Sequence, residues 1–141
     1  MEKDAAHTGR AILLALFVAV LMKFFLFDFL IADGKSMQPA IRSGNVLVIN
    51  RLAYGLRLPG SEKYLLRWSL PKTGDVVVFV TPQGSVAVKR CVELSEPPAA
   101  PHSDGPPRFI ALGDNSLDSY DSRSYGPVAA DRIVGKVIGV K

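Results

Sequence analysis

One cysteine and two histidines are all that this chain of 141 residues holds of either type, and each scarcity removes a class of chemistry. With Cys91 alone, no intrachain disulfide can form and a thiolate zinc centre has no ligand set. Its place after Lys89-Arg90 in a β-branched run suits a buried, small apolar residue, and the sequence offers no base partner for a catalytic thiol. His7 lies in the polar N-terminal tail and His102 in a Pro-rich loop, so a Ser-His-Asp triad has no credible imidazole. A hydrolase built on this chain must take its base from lysine. Helical periodicity is also missing after residue 32. Neither a helical basic stripe nor a Gly-flanked aromatic motif accompanies the positive charge, which speaks against nucleic acid as a partner.

Apolar residues are plentiful: 48% of the chain is hydrophobic, with the surplus concentrated before residue 32. Ala11 to Met22 is uncharged, and the run continues through Phe24, Phe25, Leu26 and Phe27 to Ile31, broken by Lys23 and Asp28. That is about the length of one bilayer crossing, roughly 20 residues. A cleavable signal is the rival reading, but no small-x-small site follows the apolar core. The expectation is therefore a tail over 1–10, a transmembrane anchor and the start of the first strand over 11–31, and a β domain over 32–141. Lys3 and Arg10 ahead of the span favour a cytoplasmic N-terminus. The net charge of +4 is uneven: Arg42, Arg51, Arg57, Lys63, Arg67 and Lys72 face Glu62 alone between residues 42 and 72. This basic stretch, with Tyr64, Leu65, Leu66, Trp68 and Leu70 inside it, suits either an ordinary surface over core residues or contact with anionic phospholipid.

Beyond the apolar run, short β-branched segments alternate with turn signals. Val46–Ile49, Val76–Val80, Val86–Val88, Arg108–Leu112 and Ile133–Val140 read as strands, each next to a Gly-, Pro-, Asn- or Asp-bearing turn. The spacing predicts a mostly β fold, an antiparallel sheet or barrel-like domain. Residues 95–107 read as a Pro-rich surface loop.

Two segments carry chemistry. Gly34-Lys35-Ser36-Met37-Gln38-Pro39 combines glycine, serine and proline in a turn suited to exposing a hydroxyl between extended segments. Val86-Ala87-Val88-Lys89-Arg90 ends an apolar strand on a lysine, where desolvation disfavours the charged form. Such a lysine can accept a serine proton; the always-charged Arg90 cannot. Snorkelling of Lys89 from a strand edge to solvent is the competing reading of that segment taken alone. A third run, Gly113-Asp114-Asn115-Ser116-Leu117-Asp118-Ser119-Tyr120-Asp121-Ser122-Arg123, completes an ordered set with Gly44–Val48, Arg51–Pro59 and Gly74–Phe79. Together these resemble the boxes of the type I signal peptidases, membrane-anchored Ser-Lys endopeptidases, over nearly all of the chain after the apolar run.

The resemblance implies Ser36 as nucleophile, Lys89 as general base and Ser119 as the hydroxyl that orients the lysine. It implies Arg90, Asp114, Asp121 and Arg123 as structural support, and a substrate strand lying against Ile31, Ala32, Asp33, Gly34 and Met37 on one side and Val86, Ala87 and Val88 on the other. It implies cleavage of exported preproteins after small residues in an A-x-A pattern, no cofactor and no metal. The implied location is the bacterial cytoplasmic membrane, in preference to the mitochondrial inner one, with the catalytic domain on the outer face and phospholipids as partners. Ala40 stands where the family usually has Thr, Asn45 where it often has Asp, and Gly34 where some members place a serine that donates to the oxyanion. A self-cleaving repressor-type Ser-Lys protease, a peptidase devoted to pilin or conjugation substrates, and a non-enzymatic module that holds exported chains are the alternatives.

Overall fold

Side-chain alternation along the strands sets the architecture of this protein, seen in a computed structural model that describes residues 2–58, 61, 63–95 and 105–141. Strand β2 (Val46–Asn50) buries Leu47 and Ile49 and turns Val46 away, as expected of a strand with one face on a core. A helix α1 (Glu2–Phe25) and strand β1 (Phe27–Ile31) precede it. A small hairpin follows, β3 (Gly55–Arg57) with β4 (Tyr64–Arg67), and then β5 (Val76–Val80), β6 (Val86–Ser95) and β7 (Arg108–Leu112). The chain closes with a one-turn helix α2 (Ser122–Tyr125), β8 (Val128–Ala129) and β9 (Ile133–Val140). Seven strands make one antiparallel sheet in the order β1-β2-β9-β5-β6-β7-β8, curled into a half barrel.

Because β5 and β6 lie centrally, they feed cores on both faces. Val77↔Lys89 and Phe79↔Ala87 are cross-strand pairs, and pairs directly opposite share a face. On that face Val77, Phe79, Cys91, Phe109 and Ile133 form the larger core, with Phe79 and Phe109 edge to face at 5.4 Å. Val88 falls on the other face, packed against the smaller core of Ala32, Met37, Ile41 and Leu47. Lys89 therefore emerges at the seam between two apolar clusters.

The N-terminus departs from expectation. Helix α1 stops at Phe25, and Phe27–Ile31 pairs with β2 from Phe27↔Asn50 to Ile31↔Val46, so the last five residues of the 11–31 range belong to the sheet. The first helical turns carry Glu2, Lys3, Asp4, His7 and Arg10, which leaves twelve uncharged residues, Ala11 to Met22. At 1.5 Å per residue they extend about 18 Å, well short of a hydrocarbon core of about 30 Å. Among the described residues no helix is long and apolar enough to cross a membrane. That overturns the transmembrane helix over 11–31 and, with it, the single-pass placement in the cytoplasmic membrane.

Other differences are smaller. Tyr64–Arg67, not among the expected strands, is a strand of the β3–β4 hairpin. Strand β6 runs on to Ser95, well past Val88. The Pro-rich loop expected over 95–107, with His102, falls for the most part outside the described residues. Two of the basic residues between 42 and 72 tie the fold together: Arg57 Nη1 donates to Ile133 O at 3.1 Å, and Arg67 pairs with Asp131.

If the larger core is what holds the sheet together, Phe79→Ala should cost about 3–5 kcal/mol in urea unfolding. Phe29→Ala, at a site that is 60% exposed on β1, should stay within roughly 0.5 kcal/mol. Equal losses at the two positions would contradict this division of the sheet.

Candidate active site

Ser36 sits in the turn between β1 and β2, presented by a backbone that only a few residues could follow. Gly34 has φ of 86°, the left-handed region that glycine enters without steric cost, and the Gln38-Pro39 bond is cis. Met37 and Ile41 from the same turn plunge into the smaller core, so the turn is anchored by burial on one side. On the other it is clamped by the β7–α2 loop: Asn115 N–H donates to Ser36 O at 3.0 Å and Asn115 Nδ2 to Lys35 O at 3.3 Å. A Cβ on Gly113 would lie 2.6 Å from Ser36 O and 2.1 Å from Ser119 Oγ. Only glycine allows the loop to come this close. The Ser36 N–H makes no hydrogen bond within the described residues.

Lys89, from the middle of β6, reaches across to this turn. Its side chain is only 5% exposed, and Nζ donates to Ser36 Oγ at 2.6 Å. Burial pulls the Lys89 amine below its ordinary pKa; the charge of Asp121 opposes this and that of Arg123 adds to it. Bringing two groups 53 positions apart into contact is the work of the sheet. Strand β6 pairs with β7 only from Arg90 onward, so among the described residues Val86–Lys89 has a free edge on that side.

Beside the pair lies a cavity of about 290 Å³ lined by Leu30, Ile31, Ala32, Asp33, Gly34, Ser36, Met37 and Ile41 on one wall and by Val86, Ala87, Val88 and Lys89 on the other. All eight residues expected to meet substrate line it, together with Leu30 and with Ile41, the latter missed by sequence reasoning. Their apolar alternation next to the serine turn was the available signal.

The expected supporting residues form two ion pairs. Arg90 grips Asp114 through Nε at 2.8 Å and Nη2 at 2.7 Å, while its Nη1 donates to Gly74 O at 2.9 Å. Asp121, fully buried, accepts from Arg123 Nε at 2.9 Å and Nη2 at 2.5 Å, and from Gly113 N–H at 2.8 Å. Ser119 Oγ also donates to Asp121, at 2.5 Å, and not to Lys89. Burial would raise the Asp121 carboxyl, but Arg123, the Gly113 N–H and the Ser119 hydroxyl together hold it far below the usual carboxylate range. Asn115 received no role from the sequence, although its position two residues after Gly113 marked it as part of the same loop. Cys91 is buried behind the site, and burial pushes its thiol up to about 11.

A hydroxyl touching a buried amine beside an open cavity is an arrangement that serine peptidase chemistry can use. Comparison with known proteins narrows the class. The family described as signal peptidase, peptidase S26, matches residues 5–95 and 106–140. The chain is 31% identical to signal peptidase I of Bacillus caldolyticus, over 97% of this chain and 92% of that protein. It is 28% identical to signal peptidase I T of Bacillus subtilis, over 90% and 80%. With signal peptidase I of Pseudomonas aeruginosa the identity is 28% over 93% of this chain but only 42% of that longer protein. The chain belongs to the signal peptidase family, peptidase S26, and is a serine endopeptidase that cleaves signal peptides from preproteins.

The buried Asp121 generates an acid dependence. Its pKa is lower in the fold than the ordinary 3.8, so as pH falls the unfolded chain takes up the proton first. The stabilisation is complete above the ordinary value and is lost as pH drops through the folded one. Urea midpoints should therefore decline from about pH 5 downward, and Asp121→Asn should flatten that decline while lowering the midpoint at pH 7. An Asp121→Asn protein with an unaltered acid limb would assign the acid sensitivity to other carboxylates.

Proposed function

We propose that Ser36 is the nucleophile and Lys89 the general base, and that substrate lies as an extended strand between Ile31–Gly34 and Val86–Lys89. The observation that carries this reading is the 2.6 Å contact between Lys89 Nζ and Ser36 Oγ at the mouth of the groove. With its pKa lowered by burial, the amine is neutral often enough to take the Oγ proton as that oxygen attacks the scissile carbonyl. The unbonded Ser36 N–H is the donor best placed for the negative oxygen of the tetrahedral intermediate. Lys89 then returns the proton to the departing amine, leaving an acyl-enzyme. A water molecule, deprotonated by the same lysine, frees the signal peptide as its carboxylate and restores the serine hydroxyl.

Binding by strand addition would use the free edge of β6 for main-chain hydrogen bonds and the cavity for alternate side chains. Walls made of Met37, Ile41 and Val88 suit small residues at positions −1 and −3 from the scissile bond, the A-x-A pattern. Arg90 with Asp114 and Asp121 with Arg123 act as scaffold. Ser119 acts as a positioning residue: it is held by Asp121 and packed on Gly113, the glycine that also abuts Ser36 O. The reading extends to a lipid partner, since the β3–β4 hairpin and its exit expose Leu65, Leu66 and Trp68 beside the basic Lys63. Apolar side chains next to positive charge suit the surface of anionic phospholipid.

The test is cleavage of a secretory preprotein by the full chain in detergent, with the new N-terminus mapped. Ser36→Ala, Lys89→Ala and Lys89→Arg should each lower kcat by at least about 10³-fold, the last because a guanidinium stays protonated. The rate should rise with pH and level off at a midpoint below the ordinary lysine value of 10.5, because the active form is the neutral amine. Ser119→Ala should lower the rate at every pH and leave that midpoint in place. Robust turnover by Lys89→Arg at neutral pH would falsify the base assignment, and a Ser119→Ala enzyme of full activity would make Ser119 a turn residue.

For the lipid partner the measurement is turnover with and without anionic vesicles, for the native chain and for Leu65→Ser/Leu66→Ser/Trp68→Ser. Vesicles should stimulate the native chain alone; an equal response from both proteins would remove the hairpin from lipid contact.

A further inference from the structure

We propose that Tyr120 is the surface against which the side chain at position −2 of the substrate packs. The proposal rests on the reading that substrate adds as a strand along the free edge of β6. Side chains of such a strand alternate between the two faces of the sheet. Val86 and Val88 pair with Val80 and Val78, whereas Ala87 and Lys89 pair with Phe79 and Val77, so consecutive residues of β6 already divide between the faces. The face of Val88 holds Met37, Ile41 and Leu30 of the groove, which receives positions −1 and −3. Position −2 must then project to the face of Ala87.

What stands on that face is aromatic. Tyr125 packs on the larger core together with Ala87, and the Tyr120 ring lies against Tyr125 with centroids 5.4 Å apart and planes inclined at 64°. Across the edge of β6, Gln83 Nε2 in the β5–β6 turn donates to the Tyr120 hydroxyl at 3.5 Å. Tyr120 directly follows Ser119, which packs on the Gly113 that also abuts the main-chain oxygen of Ser36, so the ring springs from the loop that clamps the serine turn. It is nevertheless 62% exposed. An aromatic ring held at two points and open on one face presents apolar area at little cost in side-chain entropy.

The ring face fits an apolar or aromatic side chain at −2 and has nothing to offer glycine. Discrimination by a half-open wall falls below that of a closed apolar pocket, so about three- to ten-fold in kcat/KM is expected. The experiment uses the full chain in detergent with peptides carrying Ala at −1 and −3 and Gly, Ser, Leu or Phe at −2. The native enzyme should favour Leu and Phe over Gly; Tyr120→Phe should keep the preference, because the ring and not the hydroxyl makes the contact; Tyr120→Ala should level the series to within about two-fold. Demand for small residues at −1 and −3 should be the same in all three proteins, and thermal unfolding should report that each is folded. A native enzyme indifferent to −2, a Tyr120→Ala series parallel to the native one, or a uniform drop across all four peptides would each overturn the proposal. Failure of the strand-addition reading has its own signature, native indifference to residue size at −1 and −3, and the proposal would fall with it.

Discussion

Everything near the site depends on keeping one amine out of water. Lys89 is 5% exposed yet ends on a hydroxyl, and a buried ammonium without a counter-charge is costly enough that the group shifts its pKa instead. The sheet provides the setting by placing Lys89 where the two cores meet: Val77 and Cys91 on its own face, Val88 and Met37 on the other. Loosening either cluster would admit solvent to Nζ and return the amine toward its ordinary charge. Burial in the cores and chemistry at the rim are in this sense one requirement.

The neighbouring Arg90 keeps its own charge off this amine. Arg90, the next residue on β6, turns to the opposite face and spends its charge on Asp114 and Gly74 O. In doing so it fastens β6 to the loop that begins at Gly113. The same loop carries Asn115, which holds the backbone of Lys35 and Ser36, and Asp121, which accepts from Gly113 N–H. The strand that bears the amine and the turn that bears the hydroxyl are thus both tied to one short loop, and their 2.6 Å separation is set by three tethers instead of by two mobile side chains.

How much of this could be read from residues alone varies with the kind of signal. The strands at Val46, Val76, Arg108 and Ile133 were legible because each apolar run is bounded by turn residues such as Ser43-Gly44-Asn45 and Thr73-Gly74-Asp75. The break between α1 and β1 was not, since it falls at Leu26 between Phe25 and Phe27 with no glycine or proline to mark it. Apolar residues run through helix and strand alike there, and short apolar stretches do not distinguish the two by periodicity. That one unmarked turn is why a continuous crossing was expected where a helix gives way to the edge of a sheet. Ser36, Lys89 and the residues of the groove were singled out through ordered motifs, whereas the partner of Ser119 was not: Asp121, two residues on, accepts from the hydroxyl, and only geometry decides between acceptors.

Asp121 and Arg123 also settle the electrostatics of the amine. A buried carboxylate close to Lys89 would by itself favour the protonated amine, and its charge does act in that direction. Arg123, bound to the same carboxylate through two nitrogens, acts in the other. Because the two charges sit together, Lys89 meets a pair that is close to neutral, and burial, the largest of the three influences, determines the sign of the shift. The Ser119 hydroxyl belongs to this compensation as well: by donating to Asp121 it spreads the carboxylate's charge over another hydrogen bond. A carboxylate left without Arg123 would oppose the effect of burial on the amine more strongly, and a loop without the carboxylate would lose the tether at Gly113. The arrangement therefore ties the loop together while leaving burial to set the direction in which the amine's pKa moves.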